Sequence, residues 1–341
     1  MKRALTLFLV LVLVGTAGAW WLSARVDTPY RAFSDAEVFV ELPAGTGVTG
    51  IASRLNAAGV IADPLTFRAA VWLEGAERHL QAGEYRFADA ISARQVVQKL
   101  AHGEVYARSV TFPEGLTIAE MSVIFEKSGL GRAKDFVTAA RNSARIANFD
   151  PEAETLEGFL FPDTYALPRS AGADALIEAM VARFAKAFDG DLRAAAAGRG
   201  QSVRDLVTLA SLVEKETASG QERPVVAGVY TNRLERSVPL QCDPTVIYVL
   251  MRAGRWRGNL TKQDLTIESP YNTYRHAGLP PGPIASPGLA SLRAAAAPAD
   301  VPFMYFVSRN DGTHVFASTL AEHARNVAKW QVQYFREKRG R

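Results

Sequence analysis

An internal repeat constrains the possible fold more than any other feature of this sequence. From Val40 to Leu55 the chain reads V-x-x-P-x-G-x-x-V-x-x-I-x-x-x-L, and 70 positions later Val110 to Phe125 reads V-x-x-P-x-G-x-x-I-x-x-M-x-x-x-F. Each copy predicts a strand, a Pro-Gly turn and an amphipathic helix that ends at a glycine. Two copies indicate a duplication and not a solenoid, since solenoids need three or more repeats.

The rest of each copy follows the same order of elements. After the amphipathic helix we expect a second helix, a glycine-led aromatic strand and a closing helix, so each unit has the order βααβα. In the first copy these elements are 65–73, 83–87 and 93–101, and in the second they are 134–141, 158–161 and 173–188. A run of small residues at 194–200 then indicates a boundary.

The N-terminus predicts a membrane anchor. Lys2 and Arg3 precede 19 uncharged residues, 4–22, which as a helix would span about 28 Å, close to the ~30 Å hydrocarbon core of a bilayer. The positive-inside rule places residues 1–3 in the cytoplasm and everything after Arg25 outside it. A cleaved signal peptide is the alternative, because Ala-Gly-Ala at 17–19 resembles a cleavage site. The length of the apolar run favours the anchor.

Composition excludes several classes of function. The net charge is +4, from 39 basic and 35 acidic residues, and so small and dispersed an excess does not indicate nucleic-acid binding. Cys242 is the only cysteine, so no internal disulfide can form. The sequence contains no phosphate-binding glycine loop and no G-x-S-x-G elbow. Its five histidines show no metal-ligand spacing, and we predict no metal and no cofactor.

A predicted helix between Ser202 and Thr217 carries acidic side chains on apolar faces. Ser202-x-x-Asp205 opens it as a weakened capping box. At a hundred degrees per residue, Glu214 falls among the aliphatic residues of one face, and Glu216 lies between two leucines that widen that face. Burial should raise the pKa of such a carboxyl group, as a general acid requires. Pairing with a neighbouring cation is the simpler explanation for either residue, and helix geometry leaves the choice between them open.

Further along the chain, polar loops precede the C-terminal elements. Asp243 should cap a helix whose first turn contains Pro244. The dense Pro and Gly residues of 278–288 predict an ordered loop that walls a groove. A hairpin should join 303–308 to 313–317, where His314 is either a satisfied structural histidine or a substrate contact. A capped helix should then run from 319 to about 338.

Five segments of the chain form a set in a fixed order, namely Leu156–Tyr165, Leu212–Thr217, Leu240–Val246, Tyr271–Tyr274 and Gly278–Gly288. In this order they resemble the YceG-like endolytic murein transglycosylases. The resemblance extends from the apolar N-terminal run to the last helix, and five motifs in register are specific although each alone is weak.

The resemblance implies an α+β fold with an N-terminal transmembrane helix, a LysM-like subdomain and a mixed α+β catalytic domain with a groove. It also implies a single-pass protein of the inner membrane whose catalytic domain is periplasmic. The corresponding segments are the cytoplasmic 1–3, the anchor 4–22, a linker 23–37, the LysM-like subdomain 38–105 and the catalytic domain 106–341. Within the last of these, a second LysM-like unit would occupy about 108–190 and the catalytic core about 200–338.

By the same resemblance the catalytic glutamate is Glu214, which resolves the choice that helix geometry left open. Cys242 departs from the pattern, where a threonine or similar residue is expected. The implied partners are peptidoglycan glycan strands, the inner membrane and peptidoglycan synthases. The substrate-binding candidates are Glu157, Glu216, Gln241, Asp243, Thr245, Asn272, Tyr274 and His314.

The implied reaction is that of a lyase. One carboxyl group protonates the leaving glycosidic oxygen and then deprotonates the sugar's own C6 hydroxyl, which attacks C1 and leaves a 1,6-anhydro end. Two alternatives remain at this stage. One is a lysozyme-type hydrolase with Asp243 as its second carboxylate. The other is a tethered glycan-binding scaffold without catalytic activity.

Overall fold

The computed structural model describes residues 2–334 and 336, and in the first helix it places the side chains at 9, 13, 15–18 and from 20 onward. The fold is mixed α+β, as predicted. In the described part of the chain the strands form two-stranded sheets. The chain divides into two compact units. One contains Met1–Arg108 with Ala166–Arg169, and the other contains Ser109–Tyr165 with Ser170–Arg341.

The backbone is helical over Lys2–Asp27, which we call α1. Most side chains of the predicted anchor at 4–22 lie outside the described residues. Among the residues that are described, no helix combines the length and the apolar character needed to cross a membrane. The anchor therefore stays a prediction.

The first unit contains the first copy of the repeat. Strand β2 (Val38–Leu42) pairs antiparallel with β3 (Gly83–Phe87), and β1 (Pro29–Tyr30) pairs antiparallel with β4 (Ile91–Ser92). A buried core of its own includes Leu55, Phe67, Tyr85 and Val96. After α1, the helices of this unit are α2 (Val48–Ala57), α3 (Pro64–Leu73) and α4 (Ala93–Ala101).

The second copy has the same order of strand, two helices, strand and helix. Its elements are β5 (Arg108–Thr111), α5 (Ile118–Lys127), α6 (Ala133–Ala139), β6 (Thr164–Leu167) and α7 (Ala173–Ala187), and β5 pairs with β6. A further helix, α8 (Gly190–Gly198), occupies most of the predicted boundary at 194–200. That small-residue run is therefore helical up to 198.

The predicted strand at 158–161 is wrong. Gly158 has a φ of +84°, and the Phe159 N–H donates to the Leu156 carbonyl in a turn. Phe159, Leu160 and Phe161 are all buried, whereas a strand with one solvent-facing side buries alternate residues. The strand instead begins at Thr164, where burial does alternate.

In the rest of the second unit, three helices pack against a central helix, and a C-terminal hairpin packs against one of these three and against a last helix. These elements are α9 (Val203–Glu216), α10 (Arg223–Glu235), α11 (Asp243–Arg252), α12 (Leu289–Ala296), β7 (Tyr305–Ser308), β8 (His314–Ala317) and α13 (Leu320–Val327). The predicted hairpin is confirmed, since β7 and β8 pair antiparallel. The capping box before α13 is also present. The predicted end of that helix, at about 338, lies outside the described residues.

Helix α9 begins as predicted, because the Ser202 and Asp205 side chains cap each other's backbone N–H groups. Its burial is wider than predicted. Every residue from Leu206 to Val213 is buried, so the helix is enclosed on all sides, as is typical of a core helix. Its two ends come nearer the surface, and the C-terminal end carries Glu214 and Glu216.

Candidate active site

Glu214 lies in the last turn of α9, and its side chain is only 6% exposed. One carboxylate oxygen, Oε2, accepts hydrogen bonds from the Gly288 N–H at 3.0 Å and the Ser291 hydroxyl at 2.7 Å. The other, Oε1, accepts from the Arg223 guanidinium at 3.2 Å. Donors from α10 and from the N-terminal turn of α12 thus hold one buried carboxyl group, and a helix N-terminus favours negative charge.

A second acid, Glu114, lies beside this group and was not predicted. The Gly115 N–H donates to the Ser286 carbonyl at 2.9 Å, and the Ser286 N–H donates to the Leu116 carbonyl at 2.9 Å. This pairing brings the Pro-Glu-Gly turn of the second repeat against Glu214. Glu114 Oε2 lies 3.5 Å from the Arg223 guanidinium. Burial and the charge of Glu214 raise the pKa of Glu114, and Arg223 partly offsets this effect.

The sequence does contain a signal for Glu114. The first repeat has Ala44 at the equivalent turn position, whereas the second has Glu114. A charge added to one copy of a duplicated turn indicates a role peculiar to that copy.

Glu216 lies in a separate polar network. Its Oε2 accepts from the Tyr230 hydroxyl at 3.0 Å and lies 3.7 Å from the Cys242 sulfur. Burial raises the pKa of Glu216 and of the Cys242 thiol. Cys242 is 1% exposed, so this departure from the family pattern is a small buried side chain, which favours packing over reactivity.

The predicted capping role of Asp243 is wrong. Helix α11 starts at Asp243 itself, and no side chain caps it. The Asp243 carboxylate instead accepts a hydrogen bond from the Tyr274 hydroxyl. This bond joins two of the predicted substrate contacts, and Gln241 lies next to them with an exposed side chain and a φ of +50°. A non-glycine residue held in this conformation is strained, as residues at functional sites often are.

Two other predicted contacts are fully buried. The Thr245 hydroxyl donates to the Cys242 carbonyl at 2.7 Å. The Asn272 amide donates to the carbonyls of Leu265 at 3.0 Å and Ile267 at 2.8 Å. Because Thr245 and Asn272 have no exposed surface, their geometry favours support of the surrounding loops over direct substrate contact.

His314 forms a partly buried pair with Glu222. Its backbone N–H donates to Glu222 Oε1 at 2.9 Å, and its Nδ1 lies 2.8 Å from Oε2. Burial acts to raise the pKa of Glu222, but the hydrogen bonds from His314 outweigh it, so the pKa is lowered. The His314 side chain is 9% exposed, which favours the structural alternative. Among the described residues, no cluster of three or more His, Cys, Asp or Glu side chains is close enough to hold a metal ion.

Glu157 forms part of the wall of a cleft of about 770 Å³. Its carboxylate accepts from the Ile118 N–H at 3.0 Å and the Tyr248 hydroxyl at 3.4 Å. Tyr248 and Tyr271 also line the cleft, with ring centroids 5.2 Å apart. The Arg252 guanidinium lies 5.6 Å from one ring and 5.8 Å from the other. Burial raises the pKa of Glu157 to about 7.

This raised pKa predicts a pH-dependent stability. Above its ordinary value of 4.5, the carboxyl group ionises more readily in the unfolded chain, so stability should fall as the pH rises from about 4.5 to about 7. Glu157→Gln should remove this loss, which amounts to about 3 kcal/mol by pH 8. Urea unfolding at pH 5 and pH 8 measures the difference, with exposed Glu178→Gln as the control. An equal pH dependence in wild type and Glu157→Gln would contradict the assignment.

These elements define a class of mixed α+β proteins in which a duplicated βααβα segment precedes a buried helix ending in a glutamate. The chain belongs to the YceG-like family, whose model matches residues 40–329.

Named relatives agree with this assignment. The chain is 31% identical over 333 residues to an endolytic murein transglycosylase of Bacillus subtilis, covering 92% of this chain and 90% of that protein. It is 30% identical to an endolytic murein transglycosylase of Streptococcus pneumoniae, covering 94% of this chain and 64% of that protein. A crystal structure of a YceG-like protein from Listeria monocytogenes matches with a TM-score of 0.59 and 29% identity, covering 86% of this chain and all of that one.

Proposed function

We propose that this protein is an endolytic peptidoglycan lytic transglycosylase and that Glu214 is its catalytic acid and base. The observation that supports this most is the Glu214 carboxyl group, buried at the end of α9 and held by Gly288, Ser291 and Arg223. The names of the relatives support the substrate class. The bond cleaved would be the MurNAc–GlcNAc linkage of nascent glycan strands, and cleavage would end strand elongation.

In the proposed reaction Glu214 transfers one proton twice. It first protonates the glycosidic oxygen as the bond to C1 breaks, and positioned acid catalysis typically contributes about 10²–10⁴-fold. The C6 hydroxyl oxygen of the same sugar then bonds to C1, and its proton returns to Glu214. Water is not consumed, so the product ends in a 1,6-anhydro sugar. After the first transfer, Arg223 and the N-terminal turn of α12 stabilise the carboxylate.

The nature of the products tests this function. Sacculi digested in water labelled with oxygen-18 should give unlabelled anhydro ends that mass spectrometry identifies. A lysozyme-type hydrolase would give labelled reducing ends, and a scaffold would release no fragments. The position of Asp243, hydrogen-bonded to Tyr274, supplies no argument for the hydrolase.

We propose that the cleft beside Glu157 is the groove that binds the glycan. The segment from Pro283, which lines the cleft, to Gly288, which contacts Glu214, can span at most about 18 Å. Glycan bound in the cleft is thus within short reach of the catalytic group. Tyr271 is partly exposed and offers a ring face on which a sugar can stack, Tyr248 packs beside it, and Arg252 adds a cation.

Tyr271→Ala should weaken binding to intact sacculi by about 5- to 30-fold, which corresponds to roughly 1–2 kcal/mol of lost stacking. The measurement is a sedimentation assay in the Glu214→Gln background, so that the ligand stays intact. Leu320→Ala, which truncates an exposed side chain on α13, is the control. Wild-type binding by Tyr271→Ala would place the groove elsewhere.

Three further properties belong to this proposal. Residues 4–22 anchor the protein in the inner membrane, the catalytic domain lies in the periplasm, and residues 38–105 act as a LysM-like subdomain. An anchor would hold the site near newly made glycan and near peptidoglycan synthases. Fractionation of cells expressing the full chain, or a chain that starts at 23, tests the anchor.

A further inference from the structure

The Glu214 site contains two carboxylates but one guanidinium between them. The Nη2 atom of Arg223 lies 3.2 Å from Glu214 Oε1 and 3.5 Å from Glu114 Oε2. Both acids are thus within ion-pairing distance of the same nitrogen. One positive charge cannot fully neutralise two negative charges, so the free energy of ionising either acid depends on the state of the other.

The Glu114 carboxyl group is also packed against the segment that holds Glu214. A methyl group added to Gly288 would lie 1.8 Å from Glu114 Oε1, so the glycine leaves room for that carboxyl group. The Gly288 N–H donates to Glu214. Both acids therefore lie against Gly288 as well as Arg223.

The two acids differ in exposure. The Glu214 side chain is 6% exposed and has three hydrogen-bond donors, whereas the Glu114 side chain is 46% exposed. Burial and the charge of Glu214 raise the pKa of Glu114, as expected for two carboxylates that are coupled. The negative charge of one acid therefore makes ionisation of the other less favourable.

The other groups around Glu214 do not replace this coupling. The ammonium group of Lys215, the residue after Glu214 on α9, donates a hydrogen bond to the Gly115 carbonyl at 3.0 Å. Helix α10 contributes Arg223, and α12 contributes the uncharged Gly288 N–H and Ser291 hydroxyl. Among these described neighbours Glu114 is the negative charge that shares Arg223 with Glu214.

We propose that Glu114 is a positioning residue that shares Arg223 with Glu214 and so makes Glu214 a better proton donor than it would be with Arg223 to itself. It acts in two ways, by repelling negative charge on Glu214 and by sharing Arg223. Once Glu214 has released its proton, the same repulsion favours the return of a proton to Glu214 from the C6 hydroxyl. This inference rests on the proposed function, because it assigns Glu114 a role in the same reaction.

The test is the pH profile of glycan cleavage by the full-length protein. Glu114→Gln removes the negative charge and leaves Arg223 to Glu214 alone, so the alkaline limb of kcat/KM should move to lower pH by about one unit. Glu114→Asp keeps the negative charge, so its alkaline limb should stay close to that of the wild type. Gly288→Ala, which displaces the Glu114 carboxyl group, should move the limb in the same direction as Glu114→Gln. Glu178→Gln, on the exposed face of α7, should leave it in place.

A second measurement does not depend on activity. The measurement is an NMR titration of protein labelled with carbon-13 at its glutamate carboxyl groups. The Glu214 resonance is assigned as the one that is missing from the spectrum of Glu214→Gln. In Glu114→Gln this resonance should titrate at lower pH than in the wild type. Unchanged titration of Glu214, or a lower rate without movement of the alkaline limb, would overturn the inference. If the wild type forms no anhydro products but the titration shifts, the coupling stands and the proposed function fails.

Discussion

Glu214→Gln should lose at least about 10³-fold of the cleavage rate, since an amide can neither give up nor accept the proton that the reaction moves. The fold should persist, because the amide oxygen can still accept the hydrogen bonds from Gly288 and Ser291. The amide NH₂ group would face Arg223, however, and the loss of this ion pair should cost about 1–3 kcal/mol of stability.

The measurement is mass spectrometry of the fragments released from sacculi, with circular dichroism to confirm folding. Glu178→Gln, on the exposed face of α7, is the matched control and should cleave at the wild-type rate. Glu216→Gln should be milder than Glu214→Gln, because Glu216 belongs to the separate network with Tyr230. Anhydro products at wild-type level from Glu214→Gln would reject the assignment.

The second large effect concerns stability. Gly158 has a φ of +84°, and a methyl group there would lie 2.4 Å from the Pro283 ring and 3.2 Å from Val207. The ring is rigid, and Val207 belongs to the enclosed helix α9, so neither can move aside cheaply. Gly158→Ala should therefore cost about 3–5 kcal/mol, of which left-handed strain contributes roughly 1–2 kcal/mol and overpacking the rest.

A matched glycine separates these two contributions. Gly200 has a φ of +66° with no atom within 4 Å of an added methyl group, so Gly200→Ala should show the strain alone. Urea denaturation of both variants, followed by the fluorescence of Trp256 and Trp330 in the second unit, measures the difference. Equal costs for the two alanine variants would mean that the loop at Pro283 adjusts freely.

Local sequence signals were sufficient for several elements. These elements are the capping box of Ser202 and Asp205, the turn of the β7–β8 hairpin and the apolar spacing inside each duplicated helix. Each depends on residues within a few positions of each other. The strand at 158–161 failed because its aromatic residues are buried without alternating. Tertiary packing, and not the strand period, determines their burial.

The site shows the same division. An acid on the apolar face of α9 was visible in the sequence, because helical periodicity depends only on neighbouring residues. The sequence did not reveal that Glu114, Arg223 and Ser291 would meet this acid, because they come from three different segments and no local pattern links them. Their meeting depends on how α9, α10 and α12 pack, and on the Gly115–Ser286 backbone pairing. The local sequence thus places acids near the end of α9 against the core, while only the tertiary structure brings Arg223 and Glu114 to one of them, because such contacts join segments far apart in the chain.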